Sequence, residues 1–80
     1  MIKRQQIHAA RALLGWNRHE LSEHADVSER TIARFEVGEG DITAGKLEQL
    51  EDALEAQGIE FVDGGVVLER LKRRRSSVAE

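Results

Sequence analysis

Residues 16–37 read WNRHELSEHADVSERTIARFEV, and this stretch decides the fold. Asn17 followed three residues later by Glu20 forms a capping box, which predicts the start of a helix. Ser28 is an N-cap residue for another helix. Only residues 25–27 remain for the turn, so the two helices must cross steeply, with small residues at their closest approach. The stretch therefore predicts two short helices joined by a tight turn.

Helical periodicity flanks this stretch on both sides. Apolar residues recur at i, i+3 and i+7 in two further segments, Ile7, Ala10 and Leu14, and Leu47, Leu50 and Leu54. The first segment predicts a helix over residues 3–14 that stops at Gly15. The second has Thr43 as its N-cap and ends before Gly58. Four helices are thus predicted, with a shared core of Leu14, Leu21, Val27, Ile32, Phe35 and Leu50.

After Gly58 the apolar period changes to two, which predicts a β-hairpin over residues 59–70. The turn is expected within Asp63-Gly64-Gly65. One face should pack on the helices, namely Ile59, Phe61, Val66 and Leu68. The other side leaves apolar residues at which a second subunit could pair, or which could simply be exposed: Val62, Val67 and Leu71. Helix four is an alternative dimer surface.

The chain has 80 residues and contains no Cys and no Pro, which predicts one small domain over residues 1–71. Its thin core favours homodimerisation. Residues 72–80 lack apolar periodicity and are expected to form a basic, flexible tail. No apolar run approaches the length of a membrane span, so we expect a cytoplasmic protein without a membrane partner.

The net charge of −3 hides an uneven distribution. Residues 1–34 have six basic and four acidic residues, whereas residues 35–71 have two basic and ten acidic residues. The tail is basic again, with four basic residues and one acidic residue. An anionic partner would therefore be attracted to the first half of the chain and to the tail, and repelled by the region between them.

No catalytic, metal or cofactor site is expected. The three histidines have no Cys partner and lack the i, i+4 spacing of a helical metal pair, although their titration could tune binding near neutral pH. A nucleophile needs an orienting base and a pocket, and nothing in this small chain predicts either. An exposed helix with two arginines, in contrast, suits the DNA major groove, where Arg can bind guanine and Glu can accept from cytosine.

The stretch from Gly15 to Gly38, with its flanking helices, resembles the helix-turn-helix family of phage repressors and xenobiotic-response-element type bacterial regulators. The resemblance covers about 55 of the 80 residues. It implies a mainly α domain of four helices, here followed by a short β-hairpin that is itself similar to the ending of a small bacterial subgroup. It further implies a sequence-specific regulator of double-stranded DNA.

The resemblance also implies residue roles. Base contacts would come from Glu29, Arg30 and Arg34, and phosphate contacts from Asn17, Arg18 and Ser28. For Glu29 a purely structural role at the start of its helix is a strong alternative. The family often pairs an arginine of helix one with a glutamate ending helix three, which predicts a structural ion pair between Arg11 and Glu36.

The sequence departs from the family pattern at three places. Arg18 stands where the family usually has Gln, which should keep phosphate attraction but change its geometry. Asp26 replaces the usual Gly of the turn at a small expected cost, since Asp tolerates a left-handed conformation. The acidic Glu39-Gly40-Asp41 segment replaces a loop that relatives often bring near the DNA backbone, so we expect it to face away.

Two functions remain open at this point. The first is a repressor that binds an inverted repeat as a homodimer. The second is a protein-interaction module, such as an antitoxin-like partner, in which DNA binding is secondary. Its basis is the acidic face of helix four, formed by Glu48, Glu51, Asp52 and Glu55.

Overall fold

The computed structural model describes residues 2–69 and contains four helices followed by a two-stranded antiparallel sheet. The elements are α1 (Arg4–Leu14), α2 (Arg18–Ala25), α3 (Glu29–Glu36), α4 (Ala44–Glu55), β1 (Ile59–Val62) and β2 (Gly65–Leu68). The predicted mainly α fold with a terminal hairpin is confirmed. None of the helices in the described part is long and apolar enough to cross a bilayer.

The predicted caps of α2, α3 and α4 are all formed. Asn17 Oδ1 accepts a hydrogen bond from the Glu20 amide at 2.8 Å, and Glu20 Oε1 accepts from the Asn17 amide at 3.0 Å. Ser28 and Thr43 cap the other two helices through their hydroxyl oxygens. These bonds satisfy backbone N–H groups that a helix start leaves unpaired, and so each helix begins at a defined residue.

The core lies where the four helices meet the hairpin. Its fully buried side chains are Ile7, Leu21, Ile32, Leu50 and Leu54. Of the predicted core residues, Leu14 and Phe35 are only half-buried and pack at the edge of this cluster. Each is the last apolar residue near the end of a short helix, where fewer neighbouring side chains are available to cover it.

The turn between α2 and α3 depends on a residue with a left-handed backbone. Asp26 has φ of 57° and ψ of 42°, and its amide donates to the Ser22 carbonyl at 2.9 Å. Asp adopts this conformation at lower cost than most residues, although Gly would adopt it more readily. Ala25 is buried just before the turn, as the short connection requires.

The hairpin register pairs Ile59 with Leu68 and Val62 with Gly65. The turn is therefore the two residues Asp63 and Gly64, tighter than the predicted three-residue segment, because Gly65 is already paired in β2. Strand β2 ends at Leu68, short of the predicted hairpin end at residue 70. The predicted tail over residues 72–80 and the remaining dimer candidate Leu71 lie outside the described residues.

A side chain of α1 holds the hairpin in place. The Gln6 amide nitrogen donates to the Val62 carbonyl at 2.8 Å and to the Gly65 carbonyl at 2.9 Å. Ile59 and Leu68 are buried against the helices, while Phe61 and Val66 pack at the edge of the core. The predicted inner face of the hairpin is thus confirmed, and the hairpin gains from the helices the support that two strands lack alone.

Candidate nucleic-acid interface

Helix α3 presents opposite chemistry on its two sides. Ile32 is fully buried and anchors the helix to the core, whereas Glu29, Arg30 and Arg34 are exposed. The Ser28 cap fixes where the helix starts and therefore which residues face outward. The two arginines are not enclosed by their own subunit, so the outer side of α3 is open to a large partner.

The exposed residues of α3 differ in how freely they can move. The Arg30 side chain forms no hydrogen bond or ion pair with any residue in the range 2–69. Arg34 Nη2 lies 3.5 Å from the Glu39 carbonyl, and a Cβ on Gly40 would lie 3.5 Å from Arg34 Nε. The Arg34 guanidinium therefore rests on the loop after α3, held by one long hydrogen bond that DNA could replace.

Asn17 and Ser28, the predicted phosphate ligands at the helix starts, both use their side chains as caps. The Asn17 side-chain oxygen accepts from the Glu20 amide, which leaves the NH₂ group of this exposed residue as the donor for a phosphate. The Ser28 hydroxyl accepts from the Thr31 amide at 3.1 Å and donates to the Thr31 hydroxyl at 2.8 Å. A phosphate at Ser28 would have to compete for that hydroxyl proton.

Beneath the outer surface lies an ion pair between α1 and the end of α3. Arg11 Nε and Nη2 donate to the two carboxylate oxygens of Glu36, each at 2.7 Å. The Glu36 side chain is only 2% exposed, and Arg11 also donates to the Trp16 carbonyl at 3.0 Å. Two short parallel bonds of this kind fix the relative position of the helices as well as neutralising the charge.

Arg18 joins this pair as a third member. Its Nε donates to Glu36 Oε1 at 3.3 Å, while the side chain stays 40% exposed. Burial raises the pKa of Glu36, but the hydrogen bonds and charges of Arg11 and Arg18 outweigh it, so the pKa lies below its ordinary value. Glu36 is thus a carboxylate at neutral pH, and it orients Arg18 with its terminal nitrogens available to a phosphate.

Arg18 and its neighbours line an open polar cleft between the first three helices. The lining residues are Arg11, Asn17, Arg18, His19 and Glu29. Three of these are sequence-predicted residues of the interface, and the structure brings them to one surface. We call the following set the candidate DNA-facing surface: Asn17, Arg18, His19, Ser28, Glu29, Arg30 and Arg34.

His19 was not among the predicted interface residues. Its Nδ1 lies 2.9 Å from Glu29 Oε2, and its Nε2 lies 3.3 Å from Glu23 Oε1. The Glu23 contact follows the i, i+4 spacing of a helix, which the sequence shows directly. The Glu29 contact spans the turn, and only the crossing of α2 and α3 reveals it.

Arg4 is a second residue that the sequence did not identify. Its Nε donates to the Phe35 carbonyl at 3.2 Å, near the end of α3. The negative end of the helix dipole stabilises a cation at this position. Because 31 positions separate the two residues, no short-range pattern signals the contact.

Trp16 and His24 contact each other at the edge of the core. Trp16 packs against the core, and its ring stacks on His24 with centroids 4.3 Å apart and an interplanar angle of 19°. Among the described residues, no group of three or more His, Asp or Glu side chains is arranged to hold a metal ion.

The dimer candidates on the hairpin differ in exposure. Val62 is 38% exposed and Val67 is half-buried. Both lie on strands that have a free edge within residues 2–69, since the sheet has two strands. Gln6 is hydrogen-bonded to the carbonyls of Val62 and Gly65, which flank the turn. An added strand would therefore have to pair further along the hairpin.

A comparison with protein families matches residues 7–60 to a helix-turn-helix model. The match covers α2, α3, α4 and all but the first three residues of α1, and it ends within β1. The chain belongs to the helix-turn-helix family of phage-repressor-like, xenobiotic-response-element type regulators. It is therefore a DNA-binding transcription regulator of that family. No curated protein matches the chain.

Proposed function

We propose that this protein is a sequence-specific repressor of bacterial or phage type that binds an inverted-repeat operator as a homodimer in the cytoplasm. The observation that carries the proposal is the exposure of Arg30 and Arg34 on a helix whose opposite side is locked into the core by Ile32. A helix of this kind fits the major groove and presents two guanidinium groups to base edges.

The proposed base contacts come from three positions of α3. Arg30 and Arg34 would each bind guanine O6 and N7, and Glu29 would accept from a cytosine amino group. Arg34 first has to leave the Glu39 carbonyl, whereas Glu29 can keep its Oε2 contact with His19 and offer Oε1 to a base. Arg30 needs no such rearrangement within the described chain, so we expect it to contribute to binding from the first encounter.

The proposed phosphate contacts lie at the starts of α2 and α3, through Asn17, Arg18 and Ser28. Both helix starts have the positive end of a dipole directed outward, which favours an anion. Arg18 is the strongest of the three candidates because Glu36 already orients its guanidinium. Such contacts set affinity and register without reading sequence.

A homodimer would use the hairpin, with Val62 and Val67 in the interface. An exposed valine and a half-buried valine, on strands with a free edge within residues 2–69, support pairing with a second copy. Two copies related by a twofold axis would place their α3 helices about 34 Å apart, one duplex turn. The substitution Val67→Asp should shift the mass in light scattering toward the monomer, and an unchanged mass would contradict this interface.

The test of DNA binding separates base contacts from phosphate contacts. After the operator is selected from a random duplex pool, Arg34→Ala should cost about 1 to 3 kcal/mol at one base position and relax preference there. Arg18→Ala should weaken binding to all sequences alike and lower the salt slope by about one. The matched control Lys46→Ala removes a positive charge on α4, outside the candidate DNA-facing surface. It should change neither the base preference nor the salt slope.

Two results would contradict the proposal. If Arg34→Ala and Arg18→Ala lose affinity equally on every sequence, the division between base and phosphate contacts is wrong. If no duplex is retained from the pool at low salt, the chain is not a sequence-specific DNA-binding protein.

A second candidate function is an interaction module that binds a basic protein partner through α4. Burial and the neighbouring Glu55 carboxylate raise the pKa of Glu51, and the last turn of α4 has no basic residue. A cationic surface on a partner protein would reduce the repulsion among these carboxylates. Recovery of one stoichiometric partner in a pull-down, lost on Glu51→Lys and accompanied by no selected DNA, would favour this function.

A further inference from the structure

His19 lies between two carboxylates on the candidate DNA-facing surface. The 2.9 Å contact to Glu29 joins α2 to the first residue of α3, and the 3.3 Å contact to Glu23 lies along α2. Both ring nitrogens therefore face an oxygen that carries negative charge. All three side chains are more than half exposed, so solvent and any bound partner can reach them.

The hydrogen-bonding capacity of imidazole decides which form of His19 fits this position. A neutral ring has one N–H donor and one nitrogen that only accepts, whereas an ionised carboxylate only accepts. Both contacts can be hydrogen bonds only when the ring carries two protons. The hydrogen bond to Glu29, followed by the charges of Glu23 and Glu29 and the weaker effect of Glu20, raises the pKa of His19 above its ordinary value.

Two other cations lie near this cluster. Arg11 and Arg18 line the same cleft, and both donate to the Glu36 carboxylate, whose single negative charge leaves one positive charge on the pair of guanidinium groups. Within residues 2–69, neither arginine is hydrogen-bonded or ion-paired to Glu29, whereas His19 lies 2.9 Å from it. His19 is therefore the cation whose protonation directly changes the charge beside Glu29.

We propose that His19 is a positioning residue for Glu29, and that binding of a DNA duplex takes up a proton at this pair. When the ring is an imidazolium, it holds the Glu29 carboxylate against α2 and cancels its charge. When the ring is neutral, Glu29 and Glu23 are left as uncompensated negative charges facing phosphates. This inference rests on the proposed DNA-binding function and concerns how its affinity is controlled.

The sign of the pH dependence follows from linkage. The negative potential of DNA stabilises the imidazolium, so the pKa of His19 is higher in the complex than in the free protein. The affinity for DNA is then highest below the pKa of His19 in the free protein, which is raised above the ordinary value of 6.5. The affinity falls as pH rises from that pKa to the pKa of His19 in the complex. One proton limits the slope to about tenfold in Kd per pH unit.

The test measures fluorescence anisotropy of the selected operator duplex between pH 6 and 9 at constant ionic strength. The unmodified protein should bind more weakly as pH rises, and His19→Gln should remove most of this pH dependence. His24→Gln is the matched control, since it deletes a histidine of the same helix that stacks on Trp16, and it should keep the slope. Glu23→Gln should move the slope to lower pH, because one of the two carboxylates is gone.

A titration of the free protein supplies a readout that does not depend on DNA. The NMR signal of the His19 ring should titrate above 6.5, and Glu29→Gln should lower that midpoint. A His19→Gln variant with the slope of the unmodified protein, or a midpoint insensitive to Glu29→Gln, overturns this inference and leaves DNA binding standing. Failure to retain any duplex at any pH overturns the proposed function and, with it, this inference.

Discussion

The substitution Arg11→Met tests how much of the stability depends on the buried ion pair. The methionine keeps an unbranched side chain of similar length but removes the guanidinium. Glu36 would lose two hydrogen bonds of 2.7 Å while its side chain stays 2% exposed. The Trp16 carbonyl would also lose a donor at 3.0 Å. The variant therefore leaves a nearly buried carboxylate with incomplete compensation.

Removal of one partner from a buried pair costs about 3 to 5 kcal/mol. Arg18 still donates to Glu36 at 3.3 Å, and since that arginine is 40% exposed, it can follow the carboxylate. We therefore expect a loss near the lower limit, about 3 kcal/mol. A chain of this size has a free energy of unfolding of about 4 to 12 kcal/mol, so the loss is a large fraction of the total.

Urea denaturation followed by far-UV circular dichroism measures this loss. With a slope of about 1 kcal/mol per molar urea for a small domain, the midpoint should fall by roughly 3 M. The control is the double variant Arg11→Met with Glu36→Leu. It leaves no buried unpaired charge, because Arg18 is 40% exposed and reaches water, and it should unfold within about 1 kcal/mol of the unmodified protein.

The pH dependence of the single variant gives an independent check. Without Arg11, burial should raise the pKa of Glu36, so Arg11→Met should regain stability as pH falls from 7 to 5 and the carboxyl becomes neutral. In the unmodified protein the pKa of Glu36 is lowered from 4.5. The ionised Glu36 therefore contributes to the free energy of unfolding above that pH, and the contribution is lost only as pH falls below it. A loss under about 1 kcal/mol, the range of an exposed salt bridge, would refute the reasoning.

Two further substitutions should stabilise the fold, as the same denaturation assay can show. Asp26→Gly removes the Cβ from a residue with φ of 57° and should raise the free energy of unfolding by about 0.5 to 1 kcal/mol; a decrease would show that the Asp26 side chain contributes more than its backbone strain costs. Glu55→Lys places a cation in the last turn of α4, four residues after Glu51, and should add about 0.5 to 1 kcal/mol at low salt. A gain that persists at 1 M salt would contradict an electrostatic origin.

The proposed base contacts could be predicted because their residues, Glu29, Arg30 and Arg34, occupy one helix. Once Ser28 sets the start of α3 and Ile32 faces the core, the helical period places Arg30 and Arg34 on the outer side. No pairing with another segment is needed for that step. The structure agrees with the outward placement, while the roles of these residues in binding DNA remain proposals.

The connections of the site could not be predicted in this way. Arg18 was expected at a phosphate, but its contact with Glu36 depends on how α2 lies beside the end of α3. Glu29 was expected at a base, yet it lies against His19 across the turn. Each contact joins residues ten or more positions apart, so a pattern along one helix does not contain it.

The amino-acid sequence alone was enough to locate the four helices and the hairpin, because caps, stop signals and apolar periodicity act between residues a few positions apart. Tertiary structure decided how the hairpin is placed against the helices, because Gln6 donates to the carbonyls of the two strand residues that flank the turn. It also decided which charges on the outer surface are compensated. Such pairings depend on how separate elements pack in space, and for that reason they appear only once the chain is folded.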